Sequence, residues 1–167
     1  TSAVAGSGTA AGGAFTINVT AALESTTTFY ATATDAAGNV SPCSTGFAYT
    51  HDAGAPSAPV IDDSAPASPS NDLTPDLSGT AEAGSTVKLY KTNDCTGPVA
   101  GTGTATGGVF SINVTANTNA TTTFYATATD SAGNVSICST GFDYLHDSSA
   151  PAAHAASHCD DVRYKAR

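Results

Sequence analysis

The chain has 167 residues and sets fourteen Asp and Glu against five Lys and Arg, a formal net charge of −9. Phosphate recognition takes a basic face, and three of the five cations (Arg163, Lys165 and Arg167) crowd the last five positions, so nucleic acid is not an expected partner. No apolar run reaches the length of a membrane span, Met and Trp are absent, and the abundant Thr, Ser, Ala, Gly and Val suit pleated strands and turns rather than helices.

In chain order the first segment is Thr1 to Asp52, and it recurs. It aligns without gaps on Thr96 to Asp147, as Phe15 with Phe110 and Cys43 with Cys138 show, and about three-quarters of the positions are identical. Residues 1–52 therefore read as the C-terminal half of a repeated unit whose first half, the counterpart of residues 55–95, occurs once in the sequence. Residues 53–58 read as a linker, 59–147 as a complete copy, and 148–167 as a divergent tail. With Thr rather than Met at position 1, the chain reads as a processed or excised piece.

Within the complete copy, alternation and turn residues predict seven strands: 59–62, 76–80, 86–92, 99–104, 108–115, 121–130 and 135–144. Gly and Pro punctuate the gaps, as in Ala83-Gly84-Ser85 and Gly107-Gly108. Period-two alternation points Val87, Leu89, Phe110, Ile112, Val114, Phe124, Ala126 and Ala128 inward and Ser111, Asn113, Thr127 and Thr129 toward water. One wet face per sheet is the pattern of an antiparallel sandwich.

The run Thr123-Phe-Tyr-Ala-Thr-Ala-Thr-Asp-Ser-Ala-Gly-Asn-Val-Ser136 returns as Thr28 to Ser41 with one exchange, Ala36 for Ser131. It resembles the late-strand signature of bacterial Ig-like tandem repeats found in large surface adhesins and extracellular fibres, and Leu77 to Val87 matches the opening of such a repeat. The resemblance implies an all-β chain of immunoglobulin-like antiparallel β-sandwich repeats. It implies no catalysis and an extracellular or cell-surface place as a stalk or fibre module, beside neighbouring copies of itself. A carboxylate that holds turn amides, then a residue tolerant of positive φ, suits Asp130, Gly133 and Asn134 and their counterparts Asp35, Gly38 and Asn39 to a tight turn. The alternative is an adhesion module whose end loops bind a glycan or a host protein.

The cysteines depart from that family. Cys95 and Cys138 read as a disulfide, with two buried thiols as the alternative, and a disulfide implies an oxidising compartment. Cys43 then lacks its in-repeat partner. An intermolecular bond to Cys159, with the tail of one chain completing the half-unit of the next, is the corresponding expectation; a boundary set by cloning or proteolysis is its bland counterpart.

His51 and His146 hold equivalent boundary positions and read as structural. His154 and His158 lack the Glu of a zinc-protease helix, and the Gly-rich 6–13 and 101–108 stretches lack the Lys-Ser/Thr of a phosphate loop. No cofactor is expected, with calcium held by Asp52, Asp62, Asp63 and Asp72 near the linker kept open. Asn-x-Ser/Thr sequons at Asn18, Asn39, Asn113, Asn119 and Asn134 are frequent by chance in so Thr-rich a chain.

Overall fold

The structure, a computed structural model, describes residues 3–151. Nine strands form in chain order: β1 (Ser25–Phe29), β2 (Phe47–His51), β3 (Val60–Ala65), β4 (Asp76–Thr80), β5 (Thr86–Tyr90), β6 (Val99–Thr104), β7 (Val109–Asn113), β8 (Thr121–Thr129) and β9 (Phe142–Leu145). Every ladder is antiparallel. β3–β9 make an immunoglobulin-like β-sandwich, with a three-stranded sheet in the order β3-β4-β7 and a four-stranded sheet in the order β6-β5-β8-β9. The chain crosses between sheets at β4–β5, β6–β7 and β7–β8, so each sheet needs strands from both ends of the sequence. No helix among the described residues is long and apolar enough to cross a membrane.

The core lies between the sheets. Ile61, Leu77, Phe110 and Ile112 from one meet Val87, Leu89, Phe124, Ala126 and Tyr144 from the other, with Ala105, Val114 and Ala116 closing the ends. Small residues make this possible where the layers come close. A Cβ on Gly101 or Gly103 would come within 2.7 or 2.8 Å of the Ile112 side chain. The linker joins the same body, for Pro56 and Pro59 are buried.

Two expectations need correction. Thr127 is buried, although alternation turns it toward water. It sits midway along β8, opposite Lys88 of β5 and flanked on the other side by residues 136–139, so the outer surface of this central strand is covered. The last strand is also shorter than predicted, because 135–141 does not form a ladder. Serine hydroxyls do the work there: Ser136 Oγ accepts from the Ala128 amide at 2.9 Å and Ser139 Oγ from the Ala126 amide at 2.8 Å. The same serine amides donate to the Ala128 and Ala126 carbonyls, so β8 stays satisfied beside an irregular segment. Alternation cannot reveal a side chain standing in for a carbonyl.

Candidate functional site: a closed domain beside an open half

The Asp130 turn is a local device. Its Oδ1 accepts from the Ala132 amide at 2.9 Å and the Asn134 amide at 2.8 Å, while Oδ2 accepts from Asn134 Nδ2 at 2.9 Å. Gly133 adopts φ 95°, which costs a residue without Cβ nothing. The same bonds recur at Asp35, from Ala37 and Asn39 at 2.9 and 2.8 Å, with Asn39 Nδ2 on Oδ2 at 2.8 Å and Gly38 at φ 89°. Asn134 Nδ2 also donates to the Asp52 carbonyl at 3.2 Å, which ties the turn to the incoming linker.

These donors hold both carboxyls below the ordinary value of 3.8, the side-chain amides of Asn134 and Asn39 contributing most, then the backbone amides. A lowered folded-state pKa contributes stability that is complete above the ordinary value and is lost as pH falls through the lowered one. The closed domain should therefore lose stability on acidification below about pH 4, and Asp130→Asn should remove part of that loss while lowering stability at neutral pH. Denaturant midpoints of both proteins between pH 2 and 7 check this; parallel curves would contradict it.

Cys95, at positive φ in the loop after β5, is bonded to Cys138 in the irregular segment after β8, with Cα atoms 5.8 Å apart. The bond fastens the first half of the domain to the second. Tyr144, wholly buried on β9, adds a polar tie by donating its hydroxyl to the Asp72 carbonyl at 2.7 Å. His146, also buried, accepts the Asn119 amide at Nδ1 at 2.9 Å. The sequence pattern places Tyr144 at the end of the last strand; the fold reveals its burial and its bond to residue 72.

Residues 3–52 keep every feature whose partner lies within them. β1 pairs with β2 in the register β8 keeps with β9: Phe29 faces Phe47 as Phe124 faces Phe142. Ser41 and Ser44 accept the Ala33 and Ala31 amides as Ser136 and Ser139 accept those of Ala128 and Ala126. His51 takes the Glu24 amide at 3.4 Å. Gly6 lies against Ile17 as Gly101 lies against Ile112.

What fails to form follows one rule. β5 pairs with both β6 and the second part of β8, Thr86 to Tyr90 opposite Thr129 to Tyr125. β4 pairs with β7. Residues 3–52 contain no counterpart of β4 or β5, and the counterparts of β6 (4–9), β7 (14–18) and the second part of β8 (30–34) are not strands. The side chains follow: Phe110 is 4 % exposed and Phe15 59 %, Tyr144 0 % and Tyr49 47 %. Val19 and Phe47 are exposed as well, where Val114 is buried and Phe142 half-buried. Cys43, the counterpart of Cys138, is exposed and unpaired among the described residues; Cys159 lies outside them, as do His154, His158 and the rest of 152–167.

Of the linker carboxylates, Asp52 Oδ1 accepts the Gly54 amide, Asp63 Oδ1 the Ser64 amide and Asp72 Oδ1 both the amide and the hydroxyl of Thr74. No three His, Cys, Asp or Glu side chains converge as metal ligands among the described residues. An open polar groove lies between Lys91, Thr92, Asn117, Thr123 and Tyr125. Its cation is already engaged: Lys91 Nζ donates to Asn117 Oδ1 at 3.3 Å and sits 6.0 Å from the centre of the Phe124 ring.

No curated protein matches the chain. A family model described as the bacterial Ig domain matches residues 55–141, from the linker through the last turn to the start of β9. That stretch holds six of the seven strands of the sandwich, β3 to β8, and exceeds half of the sequence, and the chain belongs to the bacterial Ig domain family.

Proposed function

We propose that this chain is a structural module of an extracellular fibre or cell-surface stalk, in which residues 59–147 are a rigid spacer set among neighbouring copies of itself. The Cys95–Cys138 disulfide carries this reading. It joins the two halves of a domain whose single core lies between two short-stranded sheets. Such a bond persists in oxidising surroundings outside the cytoplasm, where bacterial Ig domains serve as spacers and adhesion modules. It also limits how far the domain can be drawn out, since the stretch between the cysteines stays closed when the sandwich opens.

Pulling single molecules through residues 59 and 147 tests the spacer. The disulfide separates positions 43 residues apart. At about 3.5 Å per extended residue, it withholds roughly 150 Å of contour. The unfolding step should lengthen by about that amount when reductant is added. An identical step length with and without reductant, or extension with no resisting force, would overturn the spacer reading.

A further inference from the structure

We infer that the linker between residues 3–52 and the closed domain is a fixed joint and not a flexible tether, because one peptide group, Asp52–Ala53, is gripped from both sides. Its carbonyl accepts Asn134 Nδ2 of the closed domain at 3.2 Å. Its N–H, on Ala53, donates to Glu24 Oε1 at 2.8 Å. A peptide group is planar and turns as one piece, so the two bonds couple the turn after β8 to the loop before β1 through a single stiff plate.

Both grips are braced. Asp130 Oδ2 accepts from the same Asn134 Nδ2 at 2.9 Å, and Asp130 Oδ1 accepts the Asn134 amide at 2.8 Å. Glu24 donates its own amide to His51 Nδ1, at the end of β2, at 3.4 Å. Beyond the gripped peptide little freedom remains: Asp52 Oδ1 accepts the Gly54 amide at 3.0 Å, and Pro56 and Pro59, each with its φ fixed by the ring, are buried.

The same clasp is built again where the chain leaves the closed domain, with different residues. Ala22-Leu-Glu-Ser25 and Asn117-Thr-Asn-Ala120 differ at all four positions within two otherwise closely matching segments. Asn119 nevertheless donates its amide to His146 Nδ1 at 2.9 Å, and its Oδ1 accepts the amide and the hydroxyl of Ser148, each at 2.9 Å. Asp147 Oδ1 accepts the Ser149 amide at 2.8 Å, as Asp52 accepts that of Gly54. The acceptor and the residue it holds change together, Glu24 with Ala53 and Asn119 with Ser148, while the bonds stay. Glu24 and Asn119 also share a left-handed backbone, φ 48° and 49°, which is unfavourable for a residue with a Cβ and free of strain for Gly. A side chain there supplies the linker with an acceptor that Gly would not.

A fixed joint sets the orientation of one copy against the next, where a Gly/Ser tether would leave it free. Such a joint would hold whether or not the chain serves in a fibre.

Backbone amide relaxation, measured by NMR on the full chain, tests the joint at Ala53, Gly54, Ala55 and Ser57. Order parameters of about 0.85, matching the strands, are expected; values below about 0.6 would make the linker a tether and overturn the inference. Glu24→Gly suits the left-handed backbone and removes the acceptor, and Asn134→Ala removes the donor on the other side. Together they should drop Ala53 below about 0.6, while Glu24→Asn, the residue of the other clasp, should keep it near 0.85. Glu24→Gly alone, remote from the sandwich, should lower the value too, so the test does not depend on the Asp130 turn surviving Asn134→Ala. Ala53 that stays ordered in the double variant would overturn the inference, as would order lost on adding EDTA, which would put a divalent cation in place of the clasp. Residues 59–147 release the same contour length under force whatever the linker does, so the spacer reading stands or falls separately.

Discussion

Replacing Cys95 and Cys138 together by Ser should lower the stability of the closed domain by about 4 kcal/mol, the entropy regained by an unfolded chain freed of a loop of this size. The cysteines are separated by 43 positions and join the loop after β5 to the segment after β8, so the bond restrains two stretches the chain otherwise brings together only on folding. Domains of this size are typically stable by about 5–15 kcal/mol, which makes the loss a large fraction of the whole. The melting temperature should drop by roughly 15–30 °C, read by circular dichroism because the chain lacks Trp. Cys43→Ser, at an exposed and unpaired position, should leave it unchanged. A fall of only about 2 °C in the double variant would mean that the disulfide merely decorates a fold held by its core.

The second large effect is a contrast between two identical substitutions. Phe110→Ala removes a ring packed between the sheets and should cost about 3–5 kcal/mol. Phe15→Ala deletes the equivalent ring from a position 59 % exposed, where little apolar surface leaves water, and should cost less than about 1 kcal/mol in the monomer. Guanidinium unfolding of the two variants against the parent measures both. Equal losses would show that residues 3–52 are packed as tightly as the closed domain. Sequence context around the two rings is nearly the same, so the difference isolates what the Ala55–Cys95 half supplies.

Much of this was legible in residue patterns. Alternation placed Val87, Leu89, Phe110, Ile112 and Phe124 in the core, because each strand has one face toward the other sheet. Asp130-Ser-Ala-Gly-Asn134 announced its turn through chemistry that acts over a few residues. Thr127 was misread because period two reports which face a residue occupies and not what covers that face. The segment 135–141 was misread as strand because serine hydroxyls replace ladder carbonyls there, and apolar Val135 and Ile137 sit exposed within it.

The likeness of residues 1–52 to 96–147 was visible in the sequence. Its physical meaning needed the register. Only the pairing of β5 with both β6 and β8 explains why 4–9 and 30–34 lose their ladders while β1 and β2 keep theirs. Local turns and partner-dependent strands respond differently to the loss of the same segment, and a sequence alignment scores them alike.

Amide hydrogen exchange of the monomeric chain tests most directly the claim that one half closes only when the other covers it. The Ala126 and Ala128 amides, bonded to buried serines under a covered strand, should exchange only on global opening, while the Ala31 and Ala33 amides, bonded to Ser44 and Ser41 at an open edge, should exchange faster by orders of magnitude. Equal protection at the two sets of sites would contradict the account, because residues 3–52 would then be closed without the strands that β4 and β5 supply to the domain.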